Sequence, residues 1–445
     1  MVSQESIKNI ETLFNGGKIE EALKLAEEEL KDNPDDARLY YVIGQGELLK
    51  NNLEKAKENF EKSVSLNQNI IGALMALGSL YYQEGAFKKA IGYFARVVKL
   101  APDNDKAYFN LGVCYQELEE YENALNFYKK AIEINPKDVK SYYNSSLIFL
   151  KKGDYSQGFD LYRLRYHSDL PDRPTSLLIP HLPVNDIKNI EGKDILVYDE
   201  QGVERTIDFI RFIPEIADKA KSIVLRVQDP LEKLLSYNYP DITFSFTLDP
   251  EKEMTFEGHF PLMDAAYLLK INKLNIPYKD GYLKVDEKDV KEFEKTHPLK
   301  EGKNIGIVWR SDDDLVGKVE ILKNMIDALK EDGVNLYSMQ EVETMEEKEI
   351  LEENGVESLG EDLEDYYDKA LMINSLDGVV GVDTPIIHLS GAMGKKTALI
   401  LGKNSDWFWG DGDKKSAWHN SVNIYRLNEL NPKKTFKKAG KFVKE

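Results

Sequence analysis

Gly44, Gly78 and Gly112 stand 34 residues apart, and three further columns keep that spacing. Ala22, Ala56, Ala90 and Ala124 fill one column. Phe60, Phe94 and Tyr128 fill a second, where the first copy has only Ala26, and Pro34, Pro102 and Pro136 fill a third. A fixed period of this length means one supersecondary unit copied along the chain, since a single unit cannot bury its apolar face alone. The residue types say what the unit is. Small residues let two helices approach closely, the aromatic ring fills the space between them, and proline stops the second helix. The expected unit is a pair of antiparallel helices. It is cleanest in IGALMALGSLYYQEGAFKKAIGYFARVVKLAPDN and in the copy that follows it. The first copy is weaker, as capping repeats often are. A fifth starts at KSYYNSSLIFLKKGDYSQGFDLYRLRY, where Gly158 and Tyr162 keep register and Ser146 replaces glycine. Pro171, Pro174, Pro180 and Pro183 then end the helical pattern and mark a boundary.

These copies are similar to the tetratricopeptide repeat. The resemblance implies an all-α solenoid of about four to five repeats over residues 1–166, followed by a Pro-rich linker at 167–186. Stacked repeats offer a concave groove, so the expected partner is a protein or peptide held there. Packing of the array on the chain's own C-terminal region, or self-association into a homo-oligomer, fits the same repeats.

A chain of 445 residues is too long for one ordinary core. The formal net charge of −19 disfavours a nucleic-acid partner, which would need clustered Lys and Arg. Against that trend, the basic C-terminal tail at 431–445 carries six lysines and one acid, as a cationic last helix would. The N-terminal residues lack an apolar stretch, and no window reaches bilayer-spanning length, so membrane insertion is not expected. Cys114 is the only cysteine, which excludes an internal disulfide or a thiolate cluster. The expected location is the cytoplasm.

From residue 193 the texture changes. Short apolar runs (DILVYD, SIVLRV, NIGIVW, GVNLYSM, DGVVGVD, TALIL) alternate with helix-like stretches. Buried strands alternating with helices imply parallel sheets covered on both faces. The expectation is a multidomain chain whose α/β part is a pair of doubly wound, Rossmann-like lobes at 187–298 and 299–430, divided by KEFEKTHPLKEGK. Ligands of such sheets bind outside the carboxyl ends of the strands. In DGVVGVDTPIIHLSGAMGKKTALILG a strand should end at Asp383, Thr384 should cap a helix, and Pro385 should fill its first position. The free N–H groups of that helix end would suit a diphosphate.

The same segment carries a second resemblance. Asp383-Thr384, His388-Leu389, Gly391-Ala392 and Gly394-Lys395, together with IGIVWR, LYSMQ, DWFWG, Trp418 and IYR, are similar to the heptosyltransferase-like family, glycosyltransferase family 9. Upstream, GDYSQGFDLYRLRY and ILVYDEQGVERTIDFIRF resemble proteins that fuse tetratricopeptide repeats to such a domain. The resemblance implies the GT-B arrangement and a glycosyltransferase. Sugar would pass from a nucleotide-diphosphate sugar, bound on the 299–430 side, to an acceptor held on the 187–298 side and partly by the repeats. It implies no metal and no separate cofactor.

Each residue has a second reading. Thr384 would meet a donor phosphate or simply cap its helix, and His388, one turn in, would face the ligand or pack inside. Asp383 would accept backbone N–H bonds that shape the turn. Arg310 would fork onto a phosphate or make a salt bridge. Trp407 and Trp409 would stack on a base or sugar, or seal the two lobes. SDDDLVG at 311–317 is expected to be a solvated acidic loop rather than a metal site. Two positions depart from the family. Its usual Gly-Asp, whose aspartate is the base, is Glu204-Arg205 here, and a guanidinium cannot take a proton. Glu204 is then the simplest substitute, with Asp208 and Glu200 nearby. The family's Arg-Ser stretch after IGIVWR is also absent, and Lys318 would supply the missing charge. These departures keep a second function open: an inactive transferase-like scaffold that binds proteins through its repeats.

Overall fold

A computed structural model describes residues 2–166, 183–245, 255–311, 318–402, 405–428 and 430–445. The chain divides into two compact units, Met1–Ile148 and Phe149–Glu445.

The first unit is built from helices in sequential pairs: α1 (Gln4–Asn15) with α2 (Ile19–Asp32), α3 (Ala37–Leu49) with α4 (Leu53–Leu66), α5 (Ile71–Gln83) with α6 (Phe87–Leu100), and α7 (Asp105–Glu117) with α8 (Tyr121–Ile134). The repeat columns explain the pairing. A Cβ on Gly44, Gly78 or Gly112 would lie 2.7, 2.5 and 2.5 Å from the ring of Phe60, Phe94 and Tyr128 respectively, so each glycine makes room for its own repeat's aromatic. In the first pair the two volumes are exchanged. Ile10 occupies the glycine column and Ala26 the aromatic one, and both are fully buried. Thus the weak copy conserves total volume rather than residue type. Pro34, Pro102 and Pro136 stand just past the ends of α2, α6 and α8.

Helical propensity and packing pull in opposite directions at these glycines, which gives a paired prediction. Gly78→Ala should destabilise the array by about 1–3 kcal/mol, because the wedged Phe94 ring is 1% exposed and cannot yield. Gly92→Ala in α6, where nothing lies within 4 Å of the added Cβ, should stabilise it by about 0.5–1 kcal/mol. Urea denaturation followed by far-ultraviolet circular dichroism checks both. Equal signs would refute the wedge.

The expected array limit at residue 166 differs from the observed division. The boundary falls inside α9 (Val139–Lys151), so the second helix of the fifth copy, α10 (Tyr155–Tyr162), belongs to the second unit. Its apolar side explains this: Tyr155 and Phe159 pack on Trp418, and Phe159 and Tyr162 on Trp407. Of the linker expected at 167–186, residues 167–182 lie outside the described residues. So does most of SDDDLVG, residues 312–317.

Two parallel sheets make up the rest. The first has strand order β3 (Thr243–Ser245), β2 (Ser222–Arg226), β1 (Asp194–Tyr198), β4 (Gly258–Pro261). The second runs β10 (Val422–Arg426), β9 (Thr397–Leu401), β8 (Gly378–Val382), β5 (Lys303–Val308), β6 (Val334–Ser338), β7 (Glu357–Ser358). Every strand pairing is parallel, as the continuous apolar runs require. In both sheets the order reverses beside the first strand, at β1/β4 and at β5/β8. The core of the second sheet joins Ile305, Ile307, Val380, Val382 and Ile400 to flanking helices. The basic segment expected as a tail is one of them: helix Pro432–Lys444 buries Phe436, Ala439 and Val443 in that core and turns Lys433, Lys434, Lys437, Lys438 and Lys441 outward. The two expected lobes therefore share one compact unit.

Candidate functional site

Both reversal points feed one pocket. From the first sheet, β1 leads through Gln201 (φ 56°) and Gly202 (φ 93°) into helix Val203–Phe209. Two consecutive positive φ values turn the chain sharply, and a Cβ on Gly202 would collide with the Glu204 carboxylate folded over it. From the second sheet, β5 ends in Arg310 and Ser311, and β8 ends in Asp383 and Thr384, just before helix Pro385–Ala392. A cavity of about 330 Å³ is lined by Glu204, Arg205, Arg310, Thr384 and His388, with Ser311, Asp383, Pro385 and Asp406 at its walls. It opens at the place where ligands of such sheets bind.

Thr384 stands at the N-cap position, as expected, but its side chain makes no capping bond. Its Oγ1 is buried with no hydrogen-bond partner. A buried hydroxyl left without a partner is costly unless a ligand or water satisfies it. Asp383 departs from its expected role. Its Oδ1 accepts from His388 Nε2 at 3.0 Å, and this imidazole, more than any backbone N–H, counters the effect of burial and holds the carboxyl below its ordinary value. His388 Nδ1 meets Asp208 Oδ2 at 2.8 Å. Burial alone would lower the His388 pKa, but the two carboxylates outweigh it and raise it to about 10.

Asp208 was a candidate base on sequence grounds, and the structure moves it elsewhere. It is fully buried, does not line the pocket, and spends both oxygens on His388 and, at 3.1 Å, on His419 Nε2. The two imidazoles overcome its burial and hold it well below the carboxylate range, so it has no capacity to take a proton near neutrality. Glu204 is different. It reaches the pocket, and burial raises its carboxyl above the ordinary value, with its own backbone N–H and Arg205 opposing. Glu200 lies elsewhere, clamped by Arg165 Nε and Nη2 at 2.8 and 2.7 Å.

Arg205, the guanidinium at the first departure from the family, lines the pocket. Its Nη2 meets Asp406 at 2.7 Å and its Nη1 lies 3.7 Å from Asp208, while the guanidinium sits over the rings of Trp407 and Phe408. Nη1 is buried and makes no hydrogen bond. Arg310 lines the pocket but makes a salt bridge rather than a free fork: its Nη1 alone meets both Glu347 oxygens, at 2.9 and 3.0 Å, and its Nη2 donates to the Glu341 carbonyl at 2.6 Å. Lys318 opens helix Lys318–Leu329 and is not among the lining residues. Trp407 is 6% exposed and forms a seam with Phe159 and Tyr162 of α10 and with Trp418, a buried position rather than an open stacking platform. Its neighbour Trp409 sits against His388, ring centroids 4.7 Å apart. Among the described residues, no group of three or more His, Cys, Asp and Glu could hold a metal ion. Nor, among the described residues, is any helix long and apolar enough to cross a membrane.

Comparison with known proteins bears on the N-terminal part. Models described as tetratricopeptide repeat match residues 8–65, 71–104, 105–138 and 127–158. No curated protein matches the chain. Among solved structures, a MamA fragment from Desulfovibrio magneticus RS-1 is 22% identical and covers 37% of this chain and 94% of its own, with a TM-score of 0.34. YrrB, described as a TPR protein with an unusual peptide-binding site, is 21% identical, covering 37% and 84%, with a TM-score of 0.34. PilF of Pseudomonas aeruginosa is 16% identical, covering 36% and 73%, also at 0.34. The N-terminal part of this chain is a tetratricopeptide-repeat array.

Proposed function

We propose that the chain is a glycosyltransferase of the GT-B type, whose α/β unit takes a nucleotide-diphosphate sugar and whose repeats bind the protein or peptide that carries or recruits the acceptor. One observation carries this reading: the carboxyl edges of two parallel sheets converge on a single pocket that joins a helix N-terminus, the orphaned Thr384 hydroxyl, the Arg205 Nη1 without a hydrogen bond, and a carboxylate whose pKa burial has raised. The donor's phosphates lie against Thr384, the start of helix Pro385–Ala392 and Arg205. Glu204 takes the proton of the attacking acceptor hydroxyl, and the bond from the anomeric carbon to the diphosphate breaks as the new glycosidic bond forms. The repeats serve as an interaction surface, the use for which stacked helix pairs are suited.

A second reading has its own observation. Arg205 occupies the position where the family has its base, and it is tied to Asp406 and Asp208. Under this reading the unit holds the ligand, or only the fold, and the repeats alone carry function.

Calorimetric titration of the full chain with uridine, guanosine and adenosine diphosphates and their sugars separates the two. Micromolar binding, weakened roughly fivefold to tenfold in Thr384→Ala, supports a donor site. Glu204→Gln should then leave binding intact and cut sugar transfer or donor hydrolysis by about 10²–10⁴-fold. Binding without turnover in the unaltered chain favours the holding role, and no binding to any member sinks the transferase reading.

A further inference from the structure

The two buried histidines beside the pocket are sorted by their partners. His388 lies between Asp208 at 2.8 Å and Asp383 at 3.0 Å. Ionised carboxylates only accept, so both ring nitrogens of His388 must carry protons and the ring is an imidazolium. His419 lies instead against Arg211, whose Nη2 is 3.3 Å from both ring nitrogens, and against Asp208 at 3.1 Å from Nε2. A guanidinium only donates, so His419 accepts through Nδ1, donates through Nε2, and is neutral. The pKa directions follow: burial and Arg211 lower His419 to about 4. The result is an ordered chain from Arg211 through His419, Asp208 and His388 to Asp383 at the pocket wall. Arg211, His419 and Asp208 are fully buried and His388 is 2% exposed.

We propose that Asp208 is a positioning residue that fixes His388 as a permanent imidazolium, and that this imidazolium neutralises Asp383 so that the pocket wall tolerates phosphate. This rests on the phosphate-bearing ligand proposed above. Without the imidazolium, Asp383 would present a bare negative charge at the end of β8, beside the helix start that receives the anion. His388 faces Asp208, Arg205 and Glu204 from helix Val203–Phe209, Asp383 from β8, and His419 from the loop before β10, with Phe408 and Trp409 closing its sides. The nearest acids outnumber the nearest cations around the ring, which holds the proton in place.

Long-range proton–nitrogen correlation spectra of the histidine rings test this on the full chain, with His388→Gln for assignment. In the unaltered protein His388 should keep both nitrogens protonated from pH 6 to 8.5. In Asp208→Asn it should titrate within that window, and affinity for inorganic diphosphate should then fall roughly tenfold from pH 6 to pH 8. A wild-type His388 that titrates between pH 6 and 8 overturns the proposal, as does an Asp208→Asn ring that stays doubly protonated. Should Asp208→Asn fail to fold, Asp383→Asn decides: His388 stays charged at pH 7 if Asp208 holds it, and loses its proton if it does not. Absence of diphosphate binding to the unaltered chain at every pH would remove the ligand class, while the ring signals still decide the positioning role.

Discussion

Arg165→Met is expected to lower the stability of the α/β unit by about 3–5 kcal/mol, the usual cost of stripping one partner from a buried ion cluster. Arg165 lies in the single turn Arg163–Tyr166 that extends α10, and its side chain is 1% exposed. Its Nε and Nη2 meet Glu200 at 2.8 and 2.7 Å, and Nη2 also meets Asp264 at 2.7 Å. Glu200 follows β1 and Asp264 follows β4, so this one guanidinium bridges the ends of the two strands. Methionine keeps much of the volume and removes the charge. Two buried carboxylates would then face each other, with Arg163 paired to Asp264 at 3.0 Å. Burial already raises the Glu200 carboxyl, with Arg165 pulling it back. Adding Glu200→Gln should recover part of the loss, because the second change removes one stranded charge. The measurement is specific to this unit, since all four tryptophans (309, 407, 409 and 418) lie outside the array and their fluorescence reports its unfolding alone. A shift in urea midpoint worth under about 1 kcal/mol would mean that water or rearrangement reaches the carboxylates, and the cluster is not the clasp described.

The repeat array was legible because its information is local and periodic. Gly78 and Phe94 are 16 residues apart and meet inside one helix pair, so a column of small residues beside a column of rings states the contact directly. Parallel strands were legible for a related reason, as five-residue apolar runs such as GVVGV leave few other forms. The site was less so. Arg165 reaches Asp264 across 99 positions, and Asp208 reaches His388 across 180, with no periodicity linking either pair. Spacing could say that Asp208 shares a helix with Glu204. It could not say that one turns to the pocket and the other to two imidazoles, and that division of labour decides which can accept a proton. Both readings of Trp407 stayed open for the same reason, because the rings that bury it come from α10, far away in sequence. Likewise Arg310 makes a salt bridge through Nη1 with Glu347, a partner 37 residues away that no spacing points to.

The histidine pair also gives stability of the α/β unit a dependence on pH with opposite limbs. His388 rises from 6.5 to about 10 on folding, so its contribution is complete below pH 6.5 and is lost as pH climbs towards 10. Over that range the folded state holds one proton that the unfolded state has released, and the slope is about −1.4 kcal/mol per pH unit. His419 moves the other way, from 6.5 to about 4. Its contribution is present above pH 6.5 and is lost as pH falls, since only the unfolded chain then takes up the proton. Asp208, held low, adds a further loss only below its ordinary carboxylate range. Tryptophan-detected urea midpoints should therefore peak near pH 6.5 and decline on both sides. Lysines whose pKa is lowered, such as Lys395, titrate on the alkaline side with the opposite sign, so the decisive quantity is a difference. His388→Gln should remove the alkaline slope between pH 7 and 9 while keeping the acidic one, and a variant that declines in parallel with the unaltered protein would refute the imidazolium. Asp208→Asn should flatten the same alkaline limb, because without its carboxylate His388 loses its proton near neutrality in both states.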